Sequence, residues 1–253
     1  MNKMNNLIKQ LEQLSNRYNI IGIKQSFEDE GVLLNDVITM RRITELCGLE
    51  LFVKIGGCEA KSDINNCVQL GVDNIIAPMV ETPFALKKFI DYAKQFNTTK
   101  LYFVCESKTT VLNLSNIIDS ESVDYLTGII IGRSDLTKSL GLSKSTVDGN
   151  IINAIVTSTL LKLKNTNLQV TLGGNISSKS IDFIKELYNL NYLHNIETRN
   201  VVIKLNKHNV ECLDEVLQQV LNFEIDWLKY KSQVGERNQK ELSERIELLK
   251  QRS

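Results

Sequence analysis

Two carboxylates, Glu106 and Asp135, stand where apolar runs stop: KLYFVCES over 100–107 and TGIIIGRSDL over 127–136. If both runs are neighbouring strands of one parallel sheet, the carboxylates converge at the strand ends. Two carboxylates completed by water and substrate oxygens are a common way to hold Mg²⁺. A carboxylate in that place also serves as an ordinary helix cap. Lys54 lies inside a third run, LELFVKIGG over 49–57, where an unpaired cation is costly. It either orients an anionic substrate or reaches out to water along its stem. The remaining runs end in Gln25, Glu28 and Asp29, in Glu81 and Thr82, in Ser107, in Arg133, in Gly173, Gly174 and Asn175, and in Glu197 and Arg199. A Schiff base on Lys24 or Lys54 is a lesser option, since paired acidic ligands make it unnecessary.

The elements that must place these residues follow from the hydropathy pattern. Seven apolar, β-branched runs recur at 19–27, 49–57, 73–80, 100–107, 127–136, 168–174 and 196–205. Between them lie stretches such as DVITMRRITELCG, KSDINNCVQLG, TPFALKKFIDYAKQF and SSKSIDFIKELYNL. Their apolar residues fall at helical spacing, and several begin at Ser, Thr or Asp or end at Gly, as capping requires. Alternation of strand and helix implies a parallel sheet with both faces covered. With 253 residues, the pattern predicts a TIM (β/α)₈ barrel, the eighth strand coming from a split of 196–205 or from a poorly marked start. An open doubly wound sheet is the alternative. In a barrel the strand ends just named form the catalytic face.

Only two prolines occur, Pro78 and Pro83, and no linker divides the chain. We read residues 1–206 as the barrel and 207–253 as a C-terminal helical arm. Val216, Leu217, Val220, Leu221, Trp227 and Leu228 give the arm an apolar face. It is either a last helix packed on its own barrel or an arm exchanged between subunits of a homo-oligomer.

Composition excludes several classes. Thirty basic residues balance thirty acidic ones, so neither nucleic acid nor an anionic membrane is an expected partner. No segment approaches the ~20 apolar residues of a membrane span, and the polar start MNKMNNLIKQLEQLSNRYN lacks the apolar region of a secretory signal. Five scattered cysteines without a CxxC read as reduced thiols of a cytoplasmic protein. Two histidines, His194 and His208, rule out a histidine-rich zinc site, so a metal here takes oxygen ligands, Mg²⁺ or Mn²⁺. Neither GxGxxG nor a P-loop is present.

The stretches VCESKTTVLNLSNI (104–117), GIIIGRSDLTKSLG (128–141), IIAPMVETPFAL (75–86) and FVKIGGC (52–58) resemble segments of the HpcH/HpaI 2-oxo-acid aldolase and citrate lyase β-subunit family. Order and spacing agree from about residue 20 to 205. The resemblance implies a barrel whose last helix is often swapped between subunits, and a divalent metal on Glu106 and Asp135. It implies a carbon–carbon lyase acting on pyruvate, oxaloacetate or another 2-oxo acid through an enolate. Arg133 and Ser134, through the amides of GRSDL, and Glu81 would bind substrate. Lys54 stands where the family carries an arginine, keeping the charge without the bidentate fork. FEDEG (27–31) lies where aldolases carry a histidine-containing loop, which makes Asp29 the candidate base, with a metal-bound water as substitute. A citryl- or malyl-CoA-type lyase and a non-catalytic carboxylate-binding barrel are the alternatives.

Overall fold

The computed structural model describes residues 3–27, 32–96, 99–234 and 239–251. Eight strands close into a barrel in chain order: β1 (Ile20–Ser26), β2 (Glu50–Lys54), β3 (Asn74–Ala77), β4 (Lys100–Cys105), β5 (Gly128–Gly132), β6 (Gln169–Gly173), β7 (Asn195–Glu197) and β8 (Val201–Lys204). Around and between them run α1 (Lys3–Tyr18), α2 (Leu34–Cys47), α3 (Lys61–Gln69), α4 (Pro83–Ala93), α5 (Lys108–Ile118), α6 (Arg133–Ser139), α7 (Asn150–Leu163), α8 (Ile181–Asn189), α9 (Lys207–Glu211), α10 (Leu213–Val234) and α11 (Gln239–Lys250). The expected helices fall in place. Thr82 caps α4, accepting a hydrogen bond from the Ala85 N–H at 3.1 Å with Pro83 in the first turn. Ser107 does the same for α5 through the Thr110 N–H.

The split of 196–205 supplies the eighth strand, but the sheet is not wholly parallel. β8 runs antiparallel to both β7 and β1. Only Thr198, Arg199 and Asn200 separate β7 from β8, and a parallel return needs a crossover of a dozen or more residues. The chain therefore turns back as a hairpin, and its tip sits at the same end of the barrel as the strand ends that carry Glu106 and Asp135.

Strand parity decides which side chains face inward. Phe52, Ile76, Tyr102, Val104, Ile130 and Val202 form one buried cluster inside the barrel, with Phe52 and Tyr102 rings 5.9 Å apart. The alternate residues, among them Ile23, Val53, Ile75, Phe103, Ile131, Leu172 and Ile203, pack with the helices in the main core. The register Lys24↔Phe52, Lys54↔Ile76 and Gly132↔Gly173 puts Lys24, Lys54, Gly132 and Gly173 on the inward parity.

The N-terminal segment is an amphipathic helix that the sequence reading left unassigned. Leu7, Leu11, Leu14 and Tyr18 of α1 are buried at spacings of one helical face. α1 lies beside α10, with Gln10 donating to Asp226 at 2.9 Å and the Tyr18 hydroxyl to Glu215 at 2.8 Å. Within this chain α10 buries Val216, Val220, Phe223 and Trp227 in the main core, while Leu221, Ile225 and Leu228 close against Leu242, Ile246 and Leu249 of α11. Among the described residues no helix is long and apolar enough to cross a membrane.

Candidate functional site

The inward residues at the strand ends enclose an open cleft of about 270 Å³, lined by Lys24, Lys54, Glu106, Ser134, Asp135, Lys138, Lys144, Asn175, Glu197 and Arg199 over a floor of Ile76, Val104 and Ile130. Five cations against three carboxylates leave an excess of positive charge, which favours an anionic ligand.

One pole of the cleft is built on β4 and β5. Glu106 follows β4 and is 4% exposed. Its Oε1 accepts the Met79 N–H at 3.1 Å and its Oε2 faces the Lys54 ammonium at 3.4 Å. Met79 holds that N–H in place with a left-handed φ of 53°, a conformation that costs a non-glycine residue about 1 kcal/mol and that clusters at functional sites. Burial pushes the Glu106 carboxyl above the usual glutamate range. Lys54 and the Met79 N–H pull it back, and Asp135 pushes it further up. Asp135, in the first turn of α6, is half-exposed and accepts from Lys138 at 2.7 Å. Gly132 makes the space: a Cβ there would stand 2.9 Å from the Glu106 Cβ and 3.1 Å from Val104.

The opposite pole lies on β1 and β7, across the barrel. Lys24 and Glu197 form an ion pair there, both side chains largely buried. Gly173 clears room for Glu197, since a Cβ at that position would meet its Cγ and Oε1 at 2.8 Å. The hairpin tip is tied from outside by Glu224 of α10. Its carboxylate accepts the Thr198 hydroxyl and the Asn200 N–H, both at 2.7 Å.

The structure therefore brings Lys54, Glu106, Ser134 and Asp135 to one cleft. The side chains of Arg133, expected to contribute its amide, and of Glu81 lie outside its lining. The Arg133 guanidinium is fully buried and turned away, donating to Gly173 O at 3.3 Å, Asp148 at 2.8 Å and Ser180 at 3.0 Å. With each of its three nitrogens so engaged, its side chain braces α6 against β6, and its neighbours Gly132 and Ser134 border the cleft. Glu81 is outside the cleft lining as well, taking the Ser107 hydroxyl at 2.5 Å. Asp29 lies outside the described residues. Glu197, Arg199 and Asn175 were visible as polar strand ends, and Lys24 only as a lesser Schiff-base option. Lys138 and Lys144 gave no signal of their own, being two of many lysines on helical or turn segments.

Among the described residues no group of three His, Cys, Asp or Glu side chains could hold a metal. Glu106 and Asp135 nevertheless fit a hard divalent cation. They supply oxygen donors only, and each raises the local negative charge felt by the other, as the upward push on Glu106 records. Backbone amides complete the pole. A Cβ on Gly174, whose φ is +84°, would fall 2.4 Å from the Ser134 nitrogen and 2.5 Å from that of Arg133, so the glycine keeps this corner open.

The molecule is a closed barrel with an acidic pair and a cationic rim at its mouth. The sequence matches the HpcH/HpaI aldolase/citrate lyase family over residues 31–171, more than half of the chain. The chain belongs to that family of aldolase and citrate lyase-type carbon–carbon lyases. No curated protein matches the chain in sequence. Among solved structures it is similar to an HpcH/HpaI aldolase from Desulfitobacterium hafniense DCB-2, with 8% identity, TM-score 0.62 and coverage of 78% of this chain and 82% of that one. It is similar to the citrate synthase SbnG at 13% identity and TM-score 0.60, covering 86% and 89%. A third, CitE from Mycobacterium tuberculosis in complex with magnesium and acetate, has 13% identity and TM-score 0.53, covering 87% and 92%. At these identities the likeness is one of fold.

Proposed function

We propose that this protein is a metal-dependent carbon–carbon lyase acting on a 2-oxo acid through a pyruvate-like enolate. The observation that carries the reading is the convergence of Glu106 and Asp135, with Lys54, on one cation-rimmed cleft. Glu106 and Asp135 would hold Mg²⁺ or Mn²⁺, which supplies Lewis acidity toward the oxo acid's oxygens when bound. That a magnesium complex exists for the similar CitE structure supports the choice of ion.

The chain's own residues do the rest. Lys54, inside the barrel mouth and beside Glu106, places a fixed positive charge where the keto oxygen becomes negative, and such charge counts for more in a partly buried site than in water. The Arg133 and Ser134 amides receive the carboxylate, at a corner that the missing Gly174 side chain leaves open. Met79 orients the Glu106 carboxylate through its N–H. Lys138 and Lys144 draw the anion inward. The expected cytoplasmic, homo-oligomeric state belongs to the same reading, with the 207–253 arm either packed on its own barrel, as α10 is within this chain, or exchanged between subunits.

A second reading has one observation in its favour. Each acidic residue already faces a lysine, Glu106 with Lys54 and Asp135 with Lys138, as in a barrel that binds carboxylates without metal or turnover. Calorimetry with Mn²⁺ separates the two. We expect one site per chain, weakened at least about tenfold by Asp135→Asn, and oxalate binding that requires the metal. Oxalate binding unaffected by EDTA would support the metal-free reading.

A further inference from the structure

We infer that Lys24 and Glu197 form the proton-transfer pair of the cleft, taking the place that histidine fills in many acid–base sites. The inference rests on the enolate reading above and names the groups that would move its protons.

Neither histidine can serve. His194 accepts the Val170 N–H on Nδ1 at 3.0 Å, at the far end of the barrel from the cleft. His208 lies in α9, beyond the barrel strands. Neither lines the cleft. Of its remaining titratable groups, Glu106 and Asp135 would be occupied by the metal, and Lys54 and Lys138 face those carboxylates. Lys144 lies in a turn at the rim.

Lys24 and Glu197 differ from these in three ways. They stand across the barrel mouth from the acidic pole, on β1 and β7 against β4 and β5. A 2-oxo acid held at the acidic pole therefore turns its reacting carbon toward them. Their surroundings fix them. The Lys24 N–H donates to Asn200 O at 2.7 Å, and the Asn200 side-chain amide donates back to Lys24 O at 3.1 Å. Gly173 leaves a gap that the Glu197 side chain fills. Finally, the pair has unused capacity. Glu197 is 92% buried, its Oε1 takes the Lys24 ammonium, and its buried Oε2 accepts no hydrogen bond among the described residues. A buried acceptor without a donor is rare, and a catalytic role is among its standard explanations.

The step balances within the pair. In the cleavage direction, Lys24 takes the proton of the substrate hydroxyl as it hands one of its own to Glu197. The carbon–carbon bond breaks, the aldehyde or ketone product forms, and the bond's electron pair becomes the enolate of the 2-oxo acid. Glu197 then returns its proton through Lys24 to C3. No oxidant, reductant or further reactant is needed.

The test follows deuterium uptake at C3 of pyruvate by proton NMR, with Mn²⁺ and oxalate binding measured on the same samples and folding checked by circular dichroism. We expect Glu197→Gln to lose exchange by at least about 100-fold, the usual contribution of acid–base groups, with Mn²⁺ and oxalate affinity within threefold of wild type. The double variant Lys24→Gln/Glu197→Gln leaves no charge unpaired, so it keeps the fold. A merely structural ion pair would let it regain exchange, whereas a proton relay leaves it inactive. Exchange near wild type in either variant overturns the inference and turns attention to Asp29→Asn. Pyruvate trapped on Lys24 by borohydride also overturns it. Absence of exchange in the wild type brings down the enolate reading first, which keeps the two failures apart.

Discussion

At one pole of the cleft Gly132 ends β5 and leaves room for Glu106, while at the other Gly173 ends β6 and leaves room for Glu197. The two neighbouring glycines, paired in register, each admit a buried carboxylate from an adjacent strand. The carboxylates then differ in company. Glu106 has a backbone N–H, a lysine at 3.4 Å and a second carboxylate nearby. Glu197 has one close lysine and one oxygen without a donor. The first brings two carboxylates to one cleft and offers oxygen donors to a cation. The second is near neutral and suits proton exchange. The same strand-end glycine thus supports two chemistries, set by what else converges there.

Arg133 ties the two poles together, since its guanidinium reaches from α6 to the β6 carbonyl and to Asp148. Removing one partner of a buried pair is costly. Arg133→Met is expected to lose about 3 kcal/mol in urea unfolding, with metal affinity little changed in the protein that remains folded. A stable variant with lost substrate binding would instead make Arg133 a ligand-contacting side chain.

The glycines allow the poles to be disturbed separately. Gly132→Ala is expected to weaken Mn²⁺ binding by roughly tenfold, about 1.4 kcal/mol. Gly173→Ala should leave that affinity alone and slow pyruvate exchange by a similar factor. Equal effects of both substitutions on metal binding would abolish the distinction drawn between the poles.

A smaller effect concerns pH. Burial holds the Glu106 carboxyl above its usual range. A group raised in the folded state adds stability below its unfolded value and loses it as pH rises through the folded one. Ionising Glu106 therefore burdens the metal-free fold. In EDTA, Glu106→Gln should gain on wild type in melting temperature as pH rises, the gap narrowing as pH falls. A variant that melts well below wild type would show Glu106 to be structural.

Much of this was legible in the chain. The apolar runs marked the strands, Glu106 and Asp135 stood out as acidic residues ending two of them, and Lys54 as a cation inside a third. A split of IETRNVVIKL was legible as a source of the eighth strand, but its antiparallel return at Thr198–Asn200 was not, because only the three-residue spacing betrays a hairpin. α1 escaped because its apolar residues are few, although Leu7, Leu11 and Leu14 share a face. The direction of the Arg133 guanidinium was not legible, because the motif fixes where a residue sits along the chain, whereas Asp148 and Ser180, remote in sequence, decide where its side chain turns. Lys24 was named only as a lesser Schiff-base option, because its pairing with Glu197, 173 residues on, has no local signature.

The central claim is enolate chemistry at the acidic pole. Its most direct test is solvent deuterium exchange at C3 of pyruvate, run with Mg²⁺ or Mn²⁺, with EDTA, and with Glu106→Gln. The account expects exchange that requires the metal and falls by at least about 1000-fold in the variant, equivalent to about 4 kcal/mol of transition-state stabilisation. No exchange with either metal, or exchange that survives in Glu106→Gln, would contradict it.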